Sequence, residues 1–144
     1  MILIFGGNGF VGRHVAHELV SRGEEVTITG FSRTLDLPLL ADALSSEQAR
    51  VAKVDVTDPF AVMELVGKVR PKVMMDLTGH HPKALLPARD VQFRTTALIN
   101  MLEAARIHDV GRVVLMSSMD AYWGVDTDAC DFDSCDLSEP FDYD

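Results

Sequence analysis

Five apolar residues, Met-Ile-Leu-Ile-Phe at positions 1–5, run directly into Gly6-Gly7-Asn8-Gly9-Phe10-Val11-Gly12, and a segment of helical period follows. A continuous apolar run of this length reads as a strand buried on both faces, which requires a sheet covered by helices on either side. Residues 10–22 then place Val11, Val15 and Leu19 on one helical stripe, closed by Gly23. Strand, glycine turn and helix are thus set in the first 23 positions. The alternation continues: further strands are predicted over 25–29, 50–54, 73–77 and 112–116. Helices are predicted over 58–69, with Pro59 in the first turn, and over about 88–108, with Val91, Leu98, Leu102 and Ala105 on the core side. Residues 31–46 form a connection with a short helix around 37–44 despite Pro38. Such alternation implies parallel pairing through right-handed crossovers, hence an α/β, doubly wound parallel sheet of about five strands. Nothing of comparable strength follows Met116, so the sheet is expected to be a truncated version of a fold that usually continues.

Composition narrows the function classes. With 144 residues, 47% hydrophobic and 24% charged, the chain is the size and composition of one globular domain, not a disordered segment or a coiled coil. No apolar run approaches the ~20 residues a membrane helix needs. The apolar start lacks a basic flank and is not expected to be a signal peptide. The net charge of −9 is confined to one end: positions 1–119 carry 13 basic and 13 acidic side chains, whereas 120–144 carry nine acids and no Lys or Arg. An acidic tail repels phosphate backbones, so no nucleic-acid partner is expected, and no membrane partner. Cys130 and Cys135, both in that tail, imply a reducing, cytoplasmic setting. The expected organisation is a binding domain over 1–123 and an acidic loop or disordered tail over 124–144.

Gly6, Gly9 and Gly12 give the pattern G-x-x-G-x-x-G between a strand and a helix. The first glycine permits a tight turn, the second lets a pyrophosphate approach the backbone, and the third allows close helix–strand packing. The helix end, with Phe10, Val11 and Arg13 in its first turn, then faces the phosphates with free amides and positive dipole.

In this setting the chain resembles the extended short-chain dehydrogenases/reductases, the NAD-dependent epimerase/dehydratase family. Asp55-Val56-Thr57-Asp58 is similar to the family's Asp-x-x-Asp element at the adenine, Leu77-Thr78-Gly79 to its small-residue turn beside the cofactor, and Ser117-Ser118-Met119-Asp120-Ala121-Tyr122 to its Ser-Ser-x-x-x-Tyr-Gly. The resemblance covers residues 1–124 and implies a Rossmann-type NAD(P)-binding domain. It places Asp55 and Val56 at the adenine, Thr78 and Ser118 beside the nicotinamide, and Leu77, Gly79 and Ser117 among the cofactor-binding residues. Where an NAD-preferring site usually offers an acid after the second strand, this sequence has Gly30-Phe31-Ser32-Arg33. Arg33 with Ser32, helped by Arg13, suits a 2′-phosphate, so the expected cofactor is NADP in preference to NAD.

By the same resemblance Ser118 takes the role of the catalytic hydroxyl that hydrogen-bonds the reacting oxygen. The family's Tyr-x-x-x-Lys pair is missing: Tyr122 is followed four residues on by Asp126, and Lys53, Lys68, Lys72 and Lys83 all precede Ser118. Trp123 stands where the family generally has glycine. The chain therefore reads as the cofactor-binding part of a longer oxidoreductase of epimerase, dehydratase or reductase type. Its small-molecule substrate would be a nucleotide sugar or a related hydroxyl/carbonyl compound. The alternative is a non-catalytic NAD(P)-binding sensor or interaction module. The edge of the fifth strand and its uncovered apolar face imply poor solubility or self-association. Asp76 stands where the family often has His, and His80-His81 follow as a polar loop pair. No metal is expected: His14 and His17 lack a third ligand, and the tail acids Asp126, Asp128, Asp131 and Asp133 lack a calcium loop's glycine and terminal glutamate.

Overall fold

The first apolar run forms strand β1, Ile2–Phe5, and the glycine turn leads into helix α1, Phe10–Ser21. In the computed structural model, which describes residues 1–31, 37–79 and 86–117, three further βα units follow. They are β2, Val26–Gly30, with a 3-10 turn, Pro38–Leu40, and α2, Ala41–Ser45; β3, Ala49–Lys53, with α3, Pro59–Val69; and β4, Val73–Asp76, with α4, Pro87–Ile107. Strand β5, Arg112–Leu115, closes the series. The strands form one parallel sheet in the order β3-β2-β1-β4-β5. The Rossmann-type doubly wound sheet read from the sequence is therefore the fold observed. Each predicted strand and helix is present, with ends shifted by a residue or two.

Why β1 is apolar throughout follows from its central place. All four residues are buried, and they alternate between two cores. Leu3 and Phe5 face one layer with Val62 and Val66 of α3 and Ala97, Met101 and Ala104 of α4. Ile2 and Ile4 face the other with Val26, Ile28, Ala16, Leu40 and Ala43. A side-chain period of two with both faces covered leaves no position for a polar residue.

Two helix faces differ from expectation. On α1 the buried positions are Gly12 and Ala16, whereas Val11 is 43% exposed. Small residues face inward because α1 lies close on the sheet; Val15 and Leu19 pack at the margin. On α4 the buried positions are Ala97, Met101, Ala104 and Ala105, so only Ala105 of the expected stripe is fully buried. Val91 and Leu102 are exposed and Leu98 is half-buried. α4 packs against α3 as well as the sheet, and close packing selects the alanines.

The ends of the helices are satisfied in contrasting ways. Asp58 caps α3, its Oδ1 accepting from the amides of Phe60 at 2.9 Å and Ala61 at 3.2 Å. Asp58→Ala is expected to lower stability by about 0.5–2 kcal/mol, read by urea denaturation, because those two donors lose their partner. At the other end Arg70 adopts a left-handed conformation with φ 49°. The His108 ring lies against Gly67, and its Nε2 is 3.1 Å from the Met63 carbonyl, tying the end of α4 to α3. No helix among the described residues is long and apolar enough to cross a membrane.

Candidate functional site

The carboxyl ends of all five strands point the same way, and the order of the sheet reverses between β1 and β4. Open α/β sheets bind ligands in the crevice at such a switch point. The glycine turn sits there. Gly6 has φ 73°, and a Cβ on it would lie 2.6 Å from the Leu77 carbonyl oxygen. A Cβ on Gly7 would overlap the Ile28 side chain, and one on Gly12 would overlap the Gly6 carbonyl oxygen. These glycines are required by contact with β2, β4 and the turn itself. Gly9 is the N-cap of α1, in an extended conformation.

Gly9 has no side chain to cap the helix. The first intrahelical bond runs from Arg13 N–H to the Gly9 carbonyl, which leaves the amides of Phe10, Val11 and Gly12 without helical partners. This is the opposite of α3, whose first turn is filled by its own Asp58 carboxylate. Amides unpaired among the described residues and the positive end of a 12-residue helix therefore face the crevice, a place for an anion. Phe10 is 69% exposed beside it. The Arg13 guanidinium lies 5.3 Å from the Phe10 ring centre, and its Nε is buried with no partner among the described residues.

Two other strand ends carry the same local device. At the end of β3, Asp55 Oδ1 accepts from Thr57 N–H at 2.9 Å and Thr57 Oγ1–H at 2.7 Å. At the end of β4, Asp76 Oδ1 accepts from Thr78 N–H at 2.9 Å and Thr78 Oγ1–H at 2.6 Å. Each carboxylate folds its following loop into a tight turn. The Val56 side chain is buried in the core, and its carbonyl accepts from Asn100 Nδ2 at 3.0 Å. Leu77 donates its N–H to the Phe5 carbonyl at 3.0 Å, continuing the β1–β4 ladder up to the glycine turn. Gly79 is exposed and a Cβ there would meet nothing within 4 Å, so the fold around the described residues does not demand glycine. Ser117 is exposed just beyond β5.

The structure therefore gathers Gly6, Gly9, Phe10, Val11, Gly12, Arg13, Asp55, Val56, Leu77, Thr78, Gly79 and Ser117 along one edge of the sheet. Ser32, Arg33 and Ser118 lie outside the described residues, as do His80, His81, Tyr122 and both cysteines. Sequence reading missed three supports of the glycine turn and one of the loop after β3. Thr29 Oγ1 accepts from Gly6 N–H at 3.2 Å, and the Thr29 carbonyl accepts from Asn8 N–H at 3.2 Å. A Cβ on Gly30 would come within 2.9 Å of the Asn8 side chain. Asn100, bonded to the Val56 carbonyl, supports the loop after β3. The two buried threonines of β2, Thr27 and Thr29, were the available signal for the turn, since a buried hydroxyl needs a partner.

The comparisons with known proteins agree with this architecture. A UDP-glucose 4-epimerase from Lactobacillus helveticus is 24% identical over 129 residues, covering 84% of this chain and 36% of that protein. The Bordetella bronchiseptica enzyme WbmG in complex with NAD superposes with a TM-score of 0.72 at 21% identity, over 84% of this chain and 38% of WbmG. UDP-glucose 4-epimerase from Thermotoga maritima with UDP-glucose gives 0.69 at 22% identity, over 83% and 38%. At these identities the structural likeness establishes the fold, and the chain spans little more than a third of each relative. The family profile of the NAD dependent epimerases/dehydratases matches residues 2–143, nearly the whole sequence. This chain belongs to the NAD dependent epimerase/dehydratase family.

Proposed function

We propose that this chain is the cofactor-binding part of an oxidoreductase of epimerase or dehydratase type acting on a nucleotide sugar, and that its dinucleotide is NAD. The observation that carries the reading is the uncapped start of α1 behind Gly6, Gly7 and Gly12, where side chains are excluded and three amides lack partners among the described residues. There the Phe10, Val11 and Gly12 amides hold the pyrophosphate, while Asp55 and Val56 border the adenine. Thr78, Gly79 and Ser117 border the nicotinamide, which when bound supplies hydride transfer. Ser118 hydrogen-bonds the reacting oxygen. Residues 1–123 act as the binding unit, 124–144 as an acidic extension, and a cytoplasmic setting suits its two thiols. Leu115 and Met116, 48% and 51% exposed at the end of the β5 edge strand, support self-association of the chain alone.

The 2′-phosphate preference expected from Arg33 is not supported. Arg13 is the one described arginine expected to reach a 2′-phosphate. Its unpartnered Nε fits a phosphate, but its guanidinium stacks on Phe10 at the pyrophosphate end. WbmG was solved with NAD. Calorimetric titration of the folded chain with NAD and, separately, NADP tests the proposal, with tighter binding of NAD expected. Tighter NADP binding that weakens in Arg33→Ala would reverse the cofactor assignment. Binding of neither would overturn the reading.

A further inference from the structure

The dinucleotide reading places the two halves of the ligand over chemically different ground. With the pyrophosphate on α1, the adenosine half extends over β2 and β3 and the nicotinamide half over β4 and β5. At the carboxyl ends of β1, β4 and β5, residues 5–9, 76–79 and 115–117 carry a single ionisable side chain, Asp76. Its carboxylate is held in place: Oδ1 accepts both Thr78 hydrogen bonds, and its backbone is fixed between Phe5 of β1 and Leu115 of β5. The Asp76 carbonyl also accepts from Met116 N–H at 3.2 Å. Asp76 is only partly buried, at the mouth of the crevice.

The nicotinamide ring is cationic when oxidised and neutral when reduced, whereas the adenosine and pyrophosphate are identical in both forms. A fixed negative charge on the nicotinamide side therefore distinguishes the two forms by Coulomb attraction alone. We infer that Asp76 is a specificity-determining residue that makes the site favour the oxidised dinucleotide over the reduced one. This rests on the dinucleotide reading above and adds the redox form that the site selects. A unit charge about 10 Å away at an effective dielectric near 20 discriminates by roughly tenfold, and exposure to salt reduces that. The matching carboxylate of Asp55 lies on the adenosine side, where both forms carry the same charge, so it does not discriminate.

The test is titration of the 144-residue chain and its Asp76→Asn variant with NAD+, NADH and ADP-ribose at low ionic strength. Asparagine keeps an oxygen acceptor for both Thr78 donors and removes only the charge. The expected result is a fall of roughly tenfold in the ratio of NAD+ to NADH affinity, with ADP-ribose, which has no nicotinamide, bound as before. Added salt should shrink the wild-type ratio towards that of the variant. An unchanged ratio overturns the inference and leaves the dinucleotide reading standing. Equal losses for all three ligands mean that Asp76 serves only to shape the turn, which also overturns it. Failure of the wild-type chain to bind any of the three overturns the dinucleotide reading itself, and this inference with it.

Discussion

Gly12→Ala is expected to remove dinucleotide binding while leaving a folded chain. The added methyl overlaps the Gly6 carbonyl oxygen and comes within 2.6 Å of Gly7 Cα, both backbone atoms with no rotamer to yield. Relief requires α1 to move off the turn, which re-aims the amides of its first residues. Hydrogen bonds from backbone to phosphate are worth roughly 1.5–3 kcal/mol each, so misdirecting two of them weakens binding by roughly 100-fold or more. The stability cost is smaller. Overpacking costs about 1–3 kcal/mol, and alanine returns up to about 1 kcal/mol through its better helix propensity. Calorimetry should show no NAD binding at concentrations that saturate the wild type, while circular dichroism shows native helix content. Wild-type affinity in Gly12→Ala would mean that the glycine turn does not hold the ligand.

Phe5→Ala has the largest effect expected on stability. Phe5 is 0% exposed and belongs to the core between the sheet and α3 and α4, with Val62, Val66 and Met101. Replacing a buried phenylalanine costs about 3–5 kcal/mol in transfer free energy and residual cavity, a large share of the ~5–15 kcal/mol that holds a domain together. The cavity opens directly beneath Gly6, so ligand affinity should fall with stability. Phe60→Ala is the contrasting case. Phe60 is 84% exposed at the start of α3, and the same change there should stay within about 0.5 kcal/mol. Urea denaturation of the two variants separates the cases; similar midpoints would contradict the described core.

Much of the carboxyl edge of the sheet was legible because its elements are local. The apolar run at 1–5, the glycine spacing and the proline-started helix at 59 each declare themselves within a few residues. Asp55 and Thr78 were found only through the resemblance; the structure adds that each belongs to a turn closed by hydrogen bonds inside three positions. Thr29 and Asn100 escaped because their partners, Gly6 and Val56, are 23 and 44 residues away in sequence. No local pattern carries such a bond.

The faces of the helices mark the limit most plainly. Val11 belongs to the apolar stripe by period, as Val91 and Leu102 do, yet all three are exposed. Periodicity states that a helix has an apolar side; it does not state how near that side comes to its neighbour. Where α1 lies against the glycine turn, and where α4 meets both α3 and the sheet, the approach admits Gly12, Ala16, Ala97 and Ala104 and turns larger side chains outward. The sequence by itself determined the order of strands and helices and the turn that offers amides to an anion, because backbone geometry and side-chain period act over short spans. Only the tertiary structure decided which residues fill the core, which strand ends share the crevice, and that Asp76 stands as the one ionisable side chain among the described residues at the carboxyl ends of β1, β4 and β5. Those outcomes depend on distances between segments far apart in the chain, and packing sets them only when all the layers are assembled.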